Sequence, residues 1–388
     1  MNNLKKKKNC IQKRSMGLFN LFMLYVSCFM FLFLTGCSKI NNETTYKIAV
    51  AAPQFGPYKA SGISLVHGAE LAVDIKNKNG GIDGKQIKLI SVDDGGLAGE
   101  ATWRAKNLIQ EMVLGVIGHV NSDISIPASE IYAMAMIAEI SPASTSPLFT
   151  ERPEVQGYVF RTIGRDDQQG ELAANFVAKN GFKKIAIIYS NRSYGLSLAS
   201  EFIQKIEELS NDIKIVLSKT YRVGTDDYLR EIDPIKQKSP DLIFFVGEYE
   251  DAAKFLKRAK SVGITAQFLG GEAFFDPDFI SITKGINEGI KVIGTREVKN
   301  EAFIKNYKDR FKKNIGAYSV TAFDAANVLI SAIENVKEND SEKISKAIQN
   351  TKDFPGLTGT LSFDSKGDLI NPQFLIYEIK NGLFVETK

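Results

Sequence analysis

Residues 116–147 read VIGHVNSDISIPASEIYAMAMIAEISPASTSP, and this stretch decides the fold. Val116–Gly118 is a short apolar run of strand type, and Asn121-Ser122-Asp123 offers side-chain oxygens where a helix should begin. Pro127 falls early enough to be tolerated in the first turns, and Ile131, Ala135 and Ala138 recur at helical spacing. The chain then returns through Ile140-Ser141-Pro142 into a second polar loop, Ala143-Ser144-Thr145-Ser146-Pro147. Two polar loops at the carboxyl ends of neighbouring parallel strands mark the place where open α/β sheets hold ligands. Unpaired amides and the positive end of a helix suit a carboxylate, so the stretch predicts a seat for a small anionic or zwitterionic ligand.

The same alternation extends in both directions. Upstream, Tyr46–Ala52 and Ile87–Val92 read as strands, with helices over Ile63–Ile75 and Ala101–Met112. Breaker-rich loops separate them, Pro53-Gln54-Phe55-Gly56-Pro57 and Asn79-Gly80-Gly81-Ile82-Asp83-Gly84. Downstream a second series follows. Tyr158–Ile163, Ile185–Tyr189, Ile213–Tyr221, Asp241–Val246, Gln267–Leu269 and Ile290–Gly294 are extended. Gln169–Lys179, Leu196–Leu209, Tyr228–Lys238 and Asp251–Val262 are helical. Three further helices cover Glu301–Lys312, Thr321–Val336 and Ser341–Gln349. The end is strand-like, Gly359–Phe363 and Gln373–Ile379 flanking the turn Asp364-Ser365-Lys366-Gly367-Asp368. Strand and helix alternating in two series predict two doubly wound parallel sheets, each in its own lobe. A chain of 388 residues suits two cores better than one.

Charge and cysteine usage place the chain. The net charge is +4, but Lys5, Lys6, Lys7, Lys8, Lys13 and Arg14 precede residue 37, which leaves the remainder at −2. Nothing in that balance suggests nucleic acid as a partner. The basic residues lead into an apolar run, Leu18 to Leu34, which reads as a secretory signal. It ends in Leu34-Thr35-Gly36-Cys37, similar to the lipobox of bacterial lipoproteins. Residues 1–36 are therefore expected to be a removable leader, and Cys37 an acylated new N-terminus on a polar tether, 37–45. An uncleaved anchor helix is the alternative. Several acyl chains anchor stably where one does not. With Cys10 and Cys28 in the leader and Cys37 carrying lipid, the exported domain would fold without a disulfide.

Catalytic and metal signatures are missing. HExxH, CxxC and GxxxxGK[ST] do not occur, and the two histidines, His67 and His119, stand far apart. Gly80–Lys85 resembles a phosphate loop but joins helix to strand, the wrong order. A Ser-His-Asp site on His119 is the one enzymatic alternative. The expectation is a binding protein with no metal and no cofactor.

Several runs together carry a resemblance: GPYKASGISLVHGAELAVDIKNKNGGIDGKQIKLISVDD, GHVNSDISIPASEIY, ISPASTSP, RTIGRDDQQG, IAIIYSNRSYG, QFLGGEAF and FDSKGDL. Over nearly all of Tyr46–Lys388 the chain resembles the branched-chain amino acid binding proteins of bacterial ABC importers. The resemblance implies a type I periplasmic binding protein fold, a monomer whose two lobes are joined by three crossings and close on ligand. It places the crossings near Thr162–Arg165, Lys291–Arg296 and Leu361–Asp364. One lobe would then comprise 46–163 plus 295–361, and the other 164–294 plus 362–388. It implies an extracytoplasmic, membrane-anchored protein serving an ABC permease. A sensor signalling through a membrane partner is the alternative.

The resemblance also assigns site residues. Ser122 and Thr145 would take the ligand's α-carboxylate, with Ser144 beside them in the ligand-binding set, while the carbonyl of Ala143 and the carboxylate of Glu272 would take its ammonium. Read on residue chemistry alone, Ser122 could be a helix cap, Thr145 a turn hydroxyl and Glu272 a solvated loop acid. Tyr194 would reach the ligand from the second lobe, or else pack as a half-buried aromatic, and Asp166 would act at the lobe crossing. Two positions depart from the family's leucine-type pattern. Ser61 replaces a large aromatic, and Glu248 replaces a frequent tyrosine. A carboxylate facing inward is incompatible with a greasy pocket, so a polar or larger amino acid is expected. Asn121 and Gly96 stand where some relatives pair cysteines.

Overall fold

The computed structural model describes residues 45–209 and 212–387. The leader, Cys37 and the tether before Thr45 lie outside the described residues. Among the described residues no helix is long and apolar enough to cross a membrane.

The first half alternates strand and helix as the periodicity predicts. Strands β1 (Thr45–Ala52), β2 (Gln86–Asp93), β3 (Gly115–Gly118), β4 (Ala138–Ser141) and β5 (Val159–Arg161) are linked by helices α1 (Lys59–Lys78), α2 (Ala98–Gln110) and α3 (Ser122–Met134). They form one five-stranded sheet in the order β2-β1-β3-β4-β5, with every pair parallel. The second half runs α4 (Asp166–Lys179), β6 (Lys184–Ser190), α5 (Ser193–Leu209), β7 (Lys214–Tyr221), α6 (Leu229–Lys238), β8 (Leu242–Val246), α7 (Tyr249–Ser261), β9 (Gln267–Gly270) and β10 (Lys291–Thr295). After α8 (Glu301–Phe311), α9 (Ser319–Val336) and α10 (Ser341–Gln349) come the short pair β11 (Phe354–Pro355) and β12 (Thr360–Leu361), then β13 (Phe374–Lys380) and β14 (Leu383–Glu386). The second sheet orders β14-β13-β10-β9-β8-β6-β7.

In both sheets the strand order reverses beside the first strand of the series, between β1 and β3 and between β6 and β8. Loops at the carboxyl ends of these strands are therefore the natural ligand positions. The second sheet is parallel except at one edge, where β13 and β14 run antiparallel. A strand that returns to the sheet through a tight hairpin can only be antiparallel.

Each sheet has its own core. In the first, Ile48, Val50, Ile117 and Ile140 meet Leu65 of α1 and Leu329 and Ile333 of α9. Helices α1 and α9 come close because Gly68 has no side chain; a Cβ there would sit 2.0 Å from the Ser319 carbonyl oxygen. In the second, Ile187, Phe244 and Phe245 are covered by Leu198, Phe202 and Phe255. Burying each such phenylalanine contributes about 1.5–3 kcal/mol relative to exposing it.

The last passage between sheets lies later than the resemblance implies. Phe363 packs in the first core, the Arg161 amide donates to the Gly367 carbonyl at 3.1 Å, and Asp368 pairs with Arg161. Residues 362–370 therefore stay with the first sheet, and the chain passes to the second at 371–373, just before β13. The turn Asp364–Asp368 closes on an antiparallel bridge between Phe363 and Leu369, within the first-sheet side, and does not pair Gly359–Phe363 with Gln373–Ile379. Gly359–Phe363 reduces to β12, which pairs with β11, whereas the Gln373–Ile379 segment becomes β13 in the other sheet.

Candidate functional site: a cleft between two sets of strand tips

Both polar loops of the opening stretch lie at strand tips of the first sheet. Asn121 precedes α3 with extended backbone, so Ser122 is the first helical residue rather than the cap. Ser122 is almost fully buried, and its hydroxyl accepts the Ser146 amide at 3.4 Å, which ties the two loops together. Ser144 is fixed more tightly. Its hydroxyl lies 2.5 Å from Ser125 Oγ, and its amide donates to Ser141 Oγ at 2.9 Å. The Ala143 amide shares that Ser141 oxygen at 3.3 Å. Beneath them the fully buried Arg161 donates to the carbonyls of Ser144 and Ser146, at 2.8 and 3.0 Å. Turning these carbonyls toward the guanidinium fixes the second loop's backbone from below.

The second sheet supplies acids and a tyrosine from its own strand tips. Tyr194, in the first turn of α5, donates to Glu272 Oε2 at 2.6 Å. Glu272 follows β9 and is buried; its amide donates to Gln169 Oε1 at 3.3 Å. Tyr318, from the loop before α9, donates to the other oxygen, Oε1, at 3.5 Å. Burial pushes the Glu272 carboxyl up, although these hydrogen bonds resist the shift. Glu248 follows β8. As a residue it is only partly covered, but its carboxyl end is enclosed and is pushed well above the usual carboxylate range, first by burial and then by Glu250 and Glu272.

Hydrogen bonds and ion pairs join the lobes across the cleft. Asn121 Nδ2 donates to Glu248 Oε1 at 3.3 Å, Asp123 pairs with Arg192 at 2.9 Å, and the Asp166 amide donates to the Thr145 carbonyl at 2.9 Å. The Ala317 amide donates to Asp276 Oδ2 at 2.7 Å. Asp166, the first residue of α4, is completely buried. Thr145 and Ser197 face its carboxyl without closing a hydrogen bond, and burial together with Glu272 pushes it up to about 8.

Residues of these same loops hold buried polar atoms that have no protein partner: Thr145 Oγ1, Asn121 Oδ1, Gln169 Nε2 and both Asp166 oxygens. Buried polar atoms are nearly always paired, so a cluster of unpaired ones at a cleft marks a place built for a polar ligand. Among the expected residues Ser122, Ser144, Thr145, Ala143, Tyr194, Glu248 and Glu272 all occupy facing strand tips. Ser61 is buried in the first turn of α1, on the first-sheet side, and is not tied to the others by a hydrogen bond. Sequence reasoning missed Tyr318 and Gln169. Gln169 lies within the quoted run RTIGRDDQQG, whereas Tyr318 belongs to no motif and reaches Glu272 only through the fold.

His119 does not complete a nucleophilic triad. Its Nδ1 lies 2.6 Å from Asp94 Oδ2, both groups being fully buried, but Nε2 faces the Tyr132 hydroxyl at 3.4 Å. Ser141 instead donates to the His119 carbonyl. Among the described residues no cluster of three or more His, Cys, Asp or Glu is arranged to hold a metal ion.

Comparison with known proteins fits this geometry. The family described as periplasmic binding protein matches residues 45–383. The chain belongs to that family. A periplasmic binding protein works outside the cytoplasm. It is 32% identical over 342 residues to the leucine-, isoleucine-, valine-, threonine- and alanine-binding protein of Pseudomonas aeruginosa, covering 86% of this chain and 90% of that protein. It is 33% identical over 344 residues to Leu/Ile/Val-binding protein homolog 1 of Brucella abortus, with 86% and 90% covered. Among solved structures, a leucine-binding protein from Thermotoga maritima superimposes with a TM-score of 0.80 at 29% identity, over 88% of this chain and 98% of that one. The branched-chain amino acid transporter substrate-binding protein of Streptococcus pneumoniae, in complex with isoleucine, gives 0.80 at 27% identity, over 88% and 100%.

Proposed function

We propose that this periplasmic binding protein captures a free amino acid and delivers it to an ABC permease, holding the ligand by its two charged ends. The observation that carries the reading is a buried acid with no cationic partner, Glu272, set opposite a hydroxyl-rich pair of loops at the other sheet's strand tips. A zwitterion answers both. Ser122, Thr145 and the open amides of α3's first turn suit the carboxylate, with Ser144 shaping the loop. Glu272, with the Ala143 carbonyl, suits the ammonium in a charge-assisted bond, and Tyr194 orients the acid. The relatives described above are named for amino acids, and one holds isoleucine, which supports the class. Lobe closure removes water from both ends and strengthens each bond.

Calorimetric titration with amino acids tests the clamp. Glu272→Ala and Ser122→Ala are each expected to weaken binding by about 1.5–3 kcal/mol, the scale of a hydrogen bond to a charged group. Unchanged affinity in both would remove the assignment. We further propose that the protein acts as a monomer, tethered by acyl chains on Cys37. The Cys37→Ser form is expected to lack an acylated N-terminal peptide in mass spectrometry, and persistence of that peptide would refute the anchor.

A further inference from the structure

The cleft's two ends ask different things of a ligand. At the ammonium end, Glu272 already holds two tyrosine hydroxyls and needs one cation. At the other end stand Glu248 of the second sheet and Asn121 of the first. Asn121 Nδ2 donates to Glu248 Oε1, which leaves Asn121 Oδ1 buried with no partner. Acceptors therefore outnumber donors here. Arg192, whose charge is felt by Tyr58 and Glu248, is engaged by Asp123 at 2.9 Å and by the Gly96 carbonyl at 3.5 Å. Tyr58, buried on the first-sheet side and near enough to feel Glu248 and Arg192, adds a hydroxyl rather than apolar wall.

Both acids are presented in the same way. Each follows a glycine just past the tip of its strand, Gly247 after β8 and Gly271 after β9. A Cβ at Gly247 would fall 1.8 Å from Tyr221 Oη, and one at Gly271 would fall 2.3 Å from Tyr194 Oη. The tyrosines occupy the room that the missing side chains leave, and this packing fixes the backbone from which each carboxylate projects. Glu248 is thus held at the cleft by the same device as the clamp acid.

Resting on the amino-acid reading above, we infer that Glu248 and Asn121 form the specificity end of the cleft and select a side chain that ends in N–H donors: an amide, an ammonium or a guanidinium. A branched aliphatic side chain closed against them would leave an acid and an amide oxygen out of water with nothing to bond. Each such unsatisfied group is costly, and a charged one more so. A donor-tipped side chain satisfies both acceptors and offsets the burial that raises the Glu248 carboxyl.

The test is a ranking. The full chain, freed of bound ligand by unfolding and refolding, is titrated calorimetrically with L-leucine, L-isoleucine, L-glutamine, L-lysine and L-arginine. At least one of the last three is expected to bind tenfold or more tighter than leucine. In Glu248→Leu that preference shrinks at least tenfold while leucine binds no worse. Glu248→Gln separates the donors: loss of lysine and arginine with glutamine retained identifies the carboxylate's charge as the selector. The inference is overturned if leucine or isoleucine binds the unaltered protein as tightly as the best donor-tipped ligand. It is equally overturned if Glu248→Leu weakens all ligands by one common factor, which is what loss of a contact between the lobes would do. If none of the five binds, the amino-acid reading itself fails. Should Glu248→Leu not fold, the ranking on the unaltered protein still decides.

Discussion

Two groups of buried acids in this molecule behave in opposite ways. Beside the lobe crossing, Asp368 is enclosed by Arg161 Nε at 2.6 Å, Arg165 Nη1 at 2.7 Å and the Thr150 hydroxyl at 3.0 Å. Burial alone would raise its carboxyl, but the two guanidiniums outweigh burial and hold it below the usual range. In the cleft, Glu272, Asp166 and Glu248 make no ion pair among the described residues, and burial pushes them up, for Asp166 against the pull of Arg161. The difference separates architecture from recognition. Asp368 arrives with its counter-charges in the same chain, whereas the cleft acids, on the reading proposed above, take theirs from a ligand.

Removing Asp368 should give the largest effect. Asp368→Ala leaves the completely buried Arg161 without its ion-pair partner, takes from Arg165 one of its three acids, and frees the residue that holds the Ser144–Ser146 carbonyls. Breaking a buried pair by deleting one partner costs about 3–5 kcal/mol. Denaturant unfolding should show a loss of that order, and a loss under 1 kcal/mol would place Asp368 among ordinary surface acids.

Asp166 probes the cleft side and should respond to pH in the opposite sense. Its carboxyl is raised to about 8 in the fold, so it stays neutral there while the unfolded chain ionises near its ordinary value, 3.8. Its contribution to stability is therefore intact in acid and is lost as pH rises toward 8. Relative to the unaltered protein, ligand-free Asp166→Asn should melt similarly at pH 4 and measurably higher at pH 9. An offset independent of pH would show that the carboxyl is compensated after all. The Glu248 ranking sharpens the same contrast at the ligand's other end.

Much of this was legible in the sequence, and the reasons are specific. The apolar runs of β1, β6 and β8 and the amphipathic spacing of α7 made the two sheets readable, because strands buried on both faces and helices covering them leave unmistakable periods. The loops bearing Ser122 and Thr145 were readable because strand tips at a reversal of strand order are where ligands sit. What stayed hidden depends on pairing between distant segments. Residues 362–370 look extended on either side of a turn, and only Arg161, far earlier in the chain, keeps them on the first sheet. Tyr318 looks like any residue before a helix until the fold brings it to Glu272. The unpaired state of Asn121 Oδ1 and Thr145 Oγ1 is a property of packing that no residue pattern encodes.

One consequence follows from the glycine–glutamate steps on β8 and β9. These strands are parallel neighbours, and neighbouring strands lie about 4.8 Å apart in any sheet. The pairing of β8 with β9 therefore sets how far apart the backbones leading into Glu248 and Glu272 leave the sheet. On the reading that each acid takes one nitrogen of the ligand, such a cleft works as a ruler: it should distinguish homologous ligands by the number of methylenes between their two nitrogens.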